Sequence, residues 1–328
     1  MILLFTLVAA LQAQPAFEPQ SSGTDASLRG IAVVSARVAW AAGTKGTVLR
    51  TVDGGQHWER RAVPGAEALD FRDVHAFNEG IAVIMSAGPG DKSRIYRTGD
   101  GGATWQLVLT NESKEGFWDS IAFWDDRRGL LMGDPVDGRF ELRVTADGGK
   151  TWTKLTGPEA NAGEGAFAAS GTCVVMGRPN EAWIATGGTG GARVFHTTDG
   201  GRAWLVASAP VRHDEASAGI FSIAFRGKLG IAVGGHYQKP TEDANTGAIT
   251  HDGGTTWRPV NVGGYRSGVA IGNGDTLVAV GSDGVSYSED GGQTWKALGN
   301  TGYHAIALTR DGVGWAAGAE GRISRVRR

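Results

Sequence analysis

Short apolar runs, separated by glycine-rich punctuation, recur along the chain in a fixed order. One kind opens each unit: FRDVHAF (71–77), FWDSIAF (117–123), IFSIAF (220–225). A glycine-rich run follows, as in GIAVIMSAG (80–88), RGLLMGD (128–134) and LGIAVGG (229–235). A third, RIYRT (94–98), leads into an Asp-Gly-Gly turn, and a fourth leaves it behind a tryptophan, as in WQLVLT (105–110) and WTKLTG (152–157). Runs of this length, rich in β-branched and aromatic residues and bounded by glycine, predict strands, and four per unit predict the blade of a β-propeller.

The turn is the most regular part of the pattern. Thr/Ser-x-Asp-Gly-Gly-x-x-Trp occurs six times, starting at Thr51, Thr98, Thr145, Thr197, Thr250 and Ser288, with its tryptophans 47, 47, 52, 53 and 38 residues apart. Self-similarity at that period marks a repeat architecture. The phrase reads as the hairpin between third and fourth strands. Glycine supplies positive φ, the aspartate accepts N–H groups of its own turn, and the Thr or Ser hydroxyl joins them. These six aspartates are therefore structural.

Six phrases do not limit the ring to six blades. The C-terminal stretch TGYHAIALTRDGVGWAAGAEGRISRVRR repeats the first unit strand for strand but stops before a fourth strand. The segment 16–21 has strand length and is left over at the other end, so pairing it beside the last strand completes a seventh blade. The expected fold is all-β: a seven-bladed propeller over residues 16–328, with six blades as the alternative. Closure of the ring removes the free sheet edges.

Composition narrows the function. A formal net charge of −2 argues against nucleic acid as a partner. The single cysteine, Cys173, sits in an apolar stretch and rules out a disulfide framework. Residues 2–11 form a short apolar stretch before a small-residue site at Leu11-Gln12-Ala13, which reads as a signal peptide over residues 1–13 and implies export. No other segment is long and apolar enough to span a bilayer. No spacing matches a metal site, and no cofactor is expected.

The Asp phrase matches the Asp-box, or BNR, repeat of sialidases and other propellers. Together with GFWDSIAFWD, MGDPVDGRF, GIFSIAF, GYRSGVAI and GYHAIAL, it makes residues 16–328 resemble the photosystem II stability/assembly factor family, including its secreted bacterial relatives. That resemblance implies a non-enzymatic binding platform that helps assemble a membrane complex from the periplasmic or lumenal side. Unlike cyanobacterial members, the chain has no lipobox cysteine.

A propeller binds at the mouth of its central funnel, lined by the starts of the opening strands. Aligning the seven openings places one position on Arg29, Arg72, Trp118, Ala166, Ile220, Arg266 and His304. Blades six, seven, one and two adjoin in a closed ring, so Arg266, His304, Arg29 and Arg72 are expected to form a basic arc. Arginine's planar fork suits an acidic protein partner or a small anion. Tyr265 and Tyr303 stand one position earlier and flank the arc. His236 and Tyr237 begin the longest inter-strand insertion, on the same face.

The rival reading is a sialidase-like glycoside hydrolase acting on an anionic sugar. It would use an arginine cluster, a tyrosine nucleophile with a carboxylate beside it (Glu164 or Glu215 reaching Tyr265 or Tyr303) and an acid/base aspartate. The Arg-Ile-Pro phrase of sialidases is missing from the sequence, and no hydrolase or nucleotide-binding motif replaces it.

Overall fold

A computed structural model describes residues 14–327. The signal-peptide reading of residues 1–13 lies outside them. The described residues form seven antiparallel four-stranded sheets, each with its strands in simple meander order except the last. The chain is a seven-bladed β-propeller.

The seventh sheet mixes the two ends of the chain. The first strand (Ala16–Gln20) pairs antiparallel with the last (Ile323–Arg327), with Gln20 opposite Ile323 and Ala16 opposite Arg327. Gln20 reaches beyond its own strand. Its Oε1 accepts from the indoles of Trp58 (3.1 Å) and Trp315 (2.9 Å), and its Nε2 donates to the Gly54 carbonyl at 3.1 Å. One carboxamide thus ties the closing strand to both the seventh and the first blade.

The core lies between blades rather than within one layer. Trp40, Ala42 and Val48 of the first blade pack on Phe71, Val74 and Ile84 of the second. Trp315 and Ile323 of the seventh pack on Leu28 and Leu49 of the first. Similar clusters fill the remaining five interfaces. A buried tryptophan such as Trp40 removes roughly 200 Å² from water, on the order of 4 kcal/mol of burial free energy.

The Asp phrases form the turns that the sequence predicts. Thr145 Oγ1 donates to Asp147 Oδ1 (2.9 Å) and accepts from the Gly149 N–H (3.0 Å). Asp147 also accepts from the N–H of Lys150 and Thr151 and from the Thr151 hydroxyl. Gly148 and Gly149 have φ of 73° and 81°, which a residue with a Cβ adopts only at a cost. Trp152 covers the turn edge-on to Phe123.

One blade departs from the expected pattern. The fourth opens with a strand at Val174–Met176, not with the GAFAASG segment. That segment instead leaves the sheet and is bonded to four other blades. Ala168 O accepts from Arg72, and Gly171 O from Ser120. Ser170 donates to Ser267 O, and Thr172 shares a hydrogen bond with Ser222. It therefore crosses the propeller axis and floors the funnel. Ala166 belongs to this crossing segment rather than to an opening strand.

Candidate binding site at the propeller mouth

Above the crossing segment lies a concavity of about 480 Å³. The residues that reach it are set by a recurring irregularity. In the first, second, third and fifth blades the opening strand carries a β-bulge, which slips the register at Arg29, Arg72, Asp119 and Phe221. A bulge aims one extra side chain out of the ladder. All four line the mouth, joined from the seventh blade by His304.

This corrects the alignment of the openings in three blades. Trp118, Ile220 and Arg266 are the residues before the turned-out position, and a slip of one residue moves a side chain to the other face. Trp118 is fully buried, donates to Glu141 Oε2 at 3.1 Å and lies under Arg143. Ile220 is buried between blades four and five. Arg266 is 4% exposed and held inside its own blade by Asp283 Oδ1 (2.9 Å), Ser286 Oγ and the carbonyls of Gly263 and Tyr265. The basic arc therefore shrinks to Arg29 and Arg72, with His304 beside them.

Two further expected residues sit elsewhere. Tyr303 is buried, bonded to Ser324 Oγ at 2.8 Å and packed on Phe17 of the closing strand. His236 is fully buried as the anchor of its loop. Its Nε2 lies 3.0 Å from both Glu215 Oε2 and Ser217 Oγ, while its Nδ1 faces the Gln238 N–H. Lys239 with Glu215, and Arg212 with Glu242, clamp the same insertion to the preceding loop. Tyr265 and Tyr237 do line the mouth, the second 48% exposed on its rim.

The electrostatics divide the mouth in two. Arg72 donates to Asp70 Oδ2 (2.8 Å) and to Ala168 O. Arg29 makes no ion pair or side-chain hydrogen bond among the described residues, and its Nε is buried without a partner. Burial, and then the neighbouring Arg72, pull the Arg29 guanidinium below its ordinary value. Burial, followed by the charges of Arg29, Arg322 and Arg72, pushes His304 down to about 4, so it is neutral near pH 7.

Beside Arg72, in the adjoining third blade, stand two acids, Asp119 and Asp134. Asp119 is fully buried, and neither carboxyl oxygen has a hydrogen-bond partner of good geometry. Burial, and next the nearby Asp134, raise it well above the carboxylate range. Asp134 is raised by burial too and accepts from the Ala166 N–H at 2.8 Å. The remaining wall is aromatic: Phe167 stacks on Phe221 (3.8 Å, 12°), and Tyr265 meets Phe221 edge-on at 4.8 Å.

The sequence held one signal for this register. Gly43, Gly133, Gly234 and Gly281 of the second strands each sit where a Cβ would collide with a backbone carbonyl (Ser27, Phe117, Gly219 and Tyr265) two residues before the turned-out position. Aligning on those glycines sets the openings in phase.

Comparisons with known proteins agree with this architecture. The family model described as photosynthesis system II assembly factor YCF48 matches residues 10–112, and the BNR/Asp-box repeat model matches residues 286–297. No curated protein matches the chain by sequence. Among solved structures, YCF48 bound to a D1 peptide superposes with a TM-score of 0.69 at 18% identity, covering 97% of this chain and 99% of that one. YCF48 from Cyanidioschyzon merolae gives 0.68 at 19% identity, covering 95% and 99%. The WD40 β-propeller domain of Doa1 gives 0.63 at 10% identity, covering 96% and 98%, so the likeness in fold reaches beyond one family. Over residues 10–112 the chain is thus similar to the photosystem II assembly factor YCF48 family, and along its whole length it shares the fold of the solved YCF48 structures.

Proposed function

We propose that the protein is a non-enzymatic binding module that takes an acidic segment of a protein partner in the propeller mouth, through Arg29 and Arg72. The observation that carries this is Arg29: a guanidinium with no anionic partner, beside a second arginine, on the wall of a concavity. Two cations that repel each other across such a wall favour an anion between them. A similar propeller, YCF48, has been solved bound to a D1 peptide, which supports a peptide as the kind of ligand. Export, read from residues 2–11, is part of the same proposal and would put the partner in the periplasm or an equivalent compartment.

The sialidase-like reading finds little support at its nucleophile. Burial raises the Tyr265 phenol, the reverse of what an attacking phenolate needs. Glu164 is engaged by Arg193, Thr186 and the Asn161 N–H, and Glu215 by His236 and Lys239. Among the described residues, neither is hydrogen-bonded to Tyr265 or Tyr303.

The test is an affinity pull-down from the native host's envelope, comparing wild type with the Arg29→Glu, Arg72→Glu double variant. A defined partner lost on charge reversal is the expected result, and the captured complex should weaken as salt rises. Equal recovery by both proteins would refute the basic contact.

A further inference from the structure

The mouth offers more than positive charge. Arg29 and Arg72 line it together with the half-buried Phe167, which stacks on the buried Phe221. Tyr237 projects from the rim above that stack, 6.2 Å edge-on from Phe221. It is one of few large apolar side chains exposed anywhere on the described surface. The other residues beside Phe167 are small (Ala166, Ala168, Ala169, Ala216) and Phe221 is itself covered, so a side chain from outside meets Phe167 and Tyr237.

Resting on the reading that the mouth takes a protein segment, we propose that it recognises a two-residue signature: an acidic side chain held by Arg29 and Arg72, followed by an aromatic or branched apolar side chain seated against Tyr237 and the open edge of Phe167. An acidic segment without the apolar neighbour would fill only half of the site. Seating one large apolar side chain out of water should raise affinity roughly tenfold or more.

Isothermal titration of the whole protein with three blocked hexapeptides tests this: one carrying Glu-Phe at its centre, one Glu-Ala and one Gln-Phe, all otherwise alanine and serine. The Glu-Phe peptide is expected to bind about tenfold tighter than either of the others. Tyr237→Ala, at an exposed position, should remove most of the advantage over Glu-Ala. Ala216→Trp, which narrows the apolar side from another exposed position, should do the same. If Glu-Phe and Glu-Ala bind equally, the two-residue signature is wrong while the acidic reading stands. If Glu-Phe and Gln-Phe bind equally, the arginine contact is wrong. If none binds at millimolar concentration, the mouth is not a peptide site at all.

Discussion

At the residue scale, two side chains make opposite demands on pH and solvent. Thr145 is buried and carries both an accepted N–H and a donated hydroxyl bond inside its turn. Thr145→Val keeps the shape and strands both partners, so it should cost about 1–3 kcal/mol in denaturant unfolding. Asp73 works in the other sense. It is buried behind the mouth, accepts from the Ile121 N–H (2.7 Å) and the Ser120 hydroxyl, and burial raises it from 3.8 to about 8. The folded state therefore keeps a proton that the unfolded chain releases. Stability from this group is fully present below about pH 4, declines as pH rises toward 8 and stays low beyond. Asp73→Asn can retain both accepted bonds without the charge. It should match wild type near pH 4 and exceed it at pH 8 by on the order of 2–5 kcal/mol, read from guanidinium unfolding at the two pH values. A constant difference across that range would show that Asp73 is ionised in the fold.

At the scale of the strand, the bulge decides which arginines line the mouth. The repeat phrases made the blades and their hairpins legible, because each Asp-box residue acts within its own turn. The mouth was only partly legible. A bulge changes the side-chain phase without changing the apolar run that carries it, so Trp118 and Asp119, or Arg266 and Ser267, are equally compatible with the same strand. The crossing segment at Gly165–Thr172 was also missed, since its partners in blades two, three, five and six are far away in sequence. Its trace was the 52-residue spacing between Trp152 and Trp204, longer than the two before it. The corrected register makes a contrast. Arg266→Gln breaks a buried ion pair and hydrogen bonds to three further groups, Ser286 Oγ and the Gly263 and Tyr265 carbonyls, so it should lower stability by about 2–4 kcal/mol while folded protein keeps its partner. Arg29→Gln relieves repulsion with Arg72 and should leave the melting temperature unchanged or slightly higher while binding falls. Partner loss with Arg266→Gln at full folding would return that residue to the site.

At the scale of the molecule, the ring is held by its ends. Six of the seven blades are continuous in sequence, so their strands assemble from local hairpins. The seventh must join Ala16–Gln20 to Ile323–Arg327 across the length of the chain. Its entropy of closure is offset by five paired residues, by Phe17 packing on Tyr303 and by the Gln20 carboxamide between two indoles. Gln20→Ala leaves the N–H groups of Trp58 and Trp315 without that acceptor and should cost about 1–3 kcal/mol. Removing residues 1–20 altogether does something different in kind. It bares the edge of the last strand along its whole length, and an exposed edge pairs with another chain. The truncated protein should therefore elute as dimers and larger species in size-exclusion chromatography with light scattering. Added peptide spanning residues 14–21 should restore the monomer, because it supplies the missing strand. A truncated protein that stays monomeric with an unchanged melting temperature would mean that the inter-blade clusters alone hold the ring, and that the closing strand is dispensable.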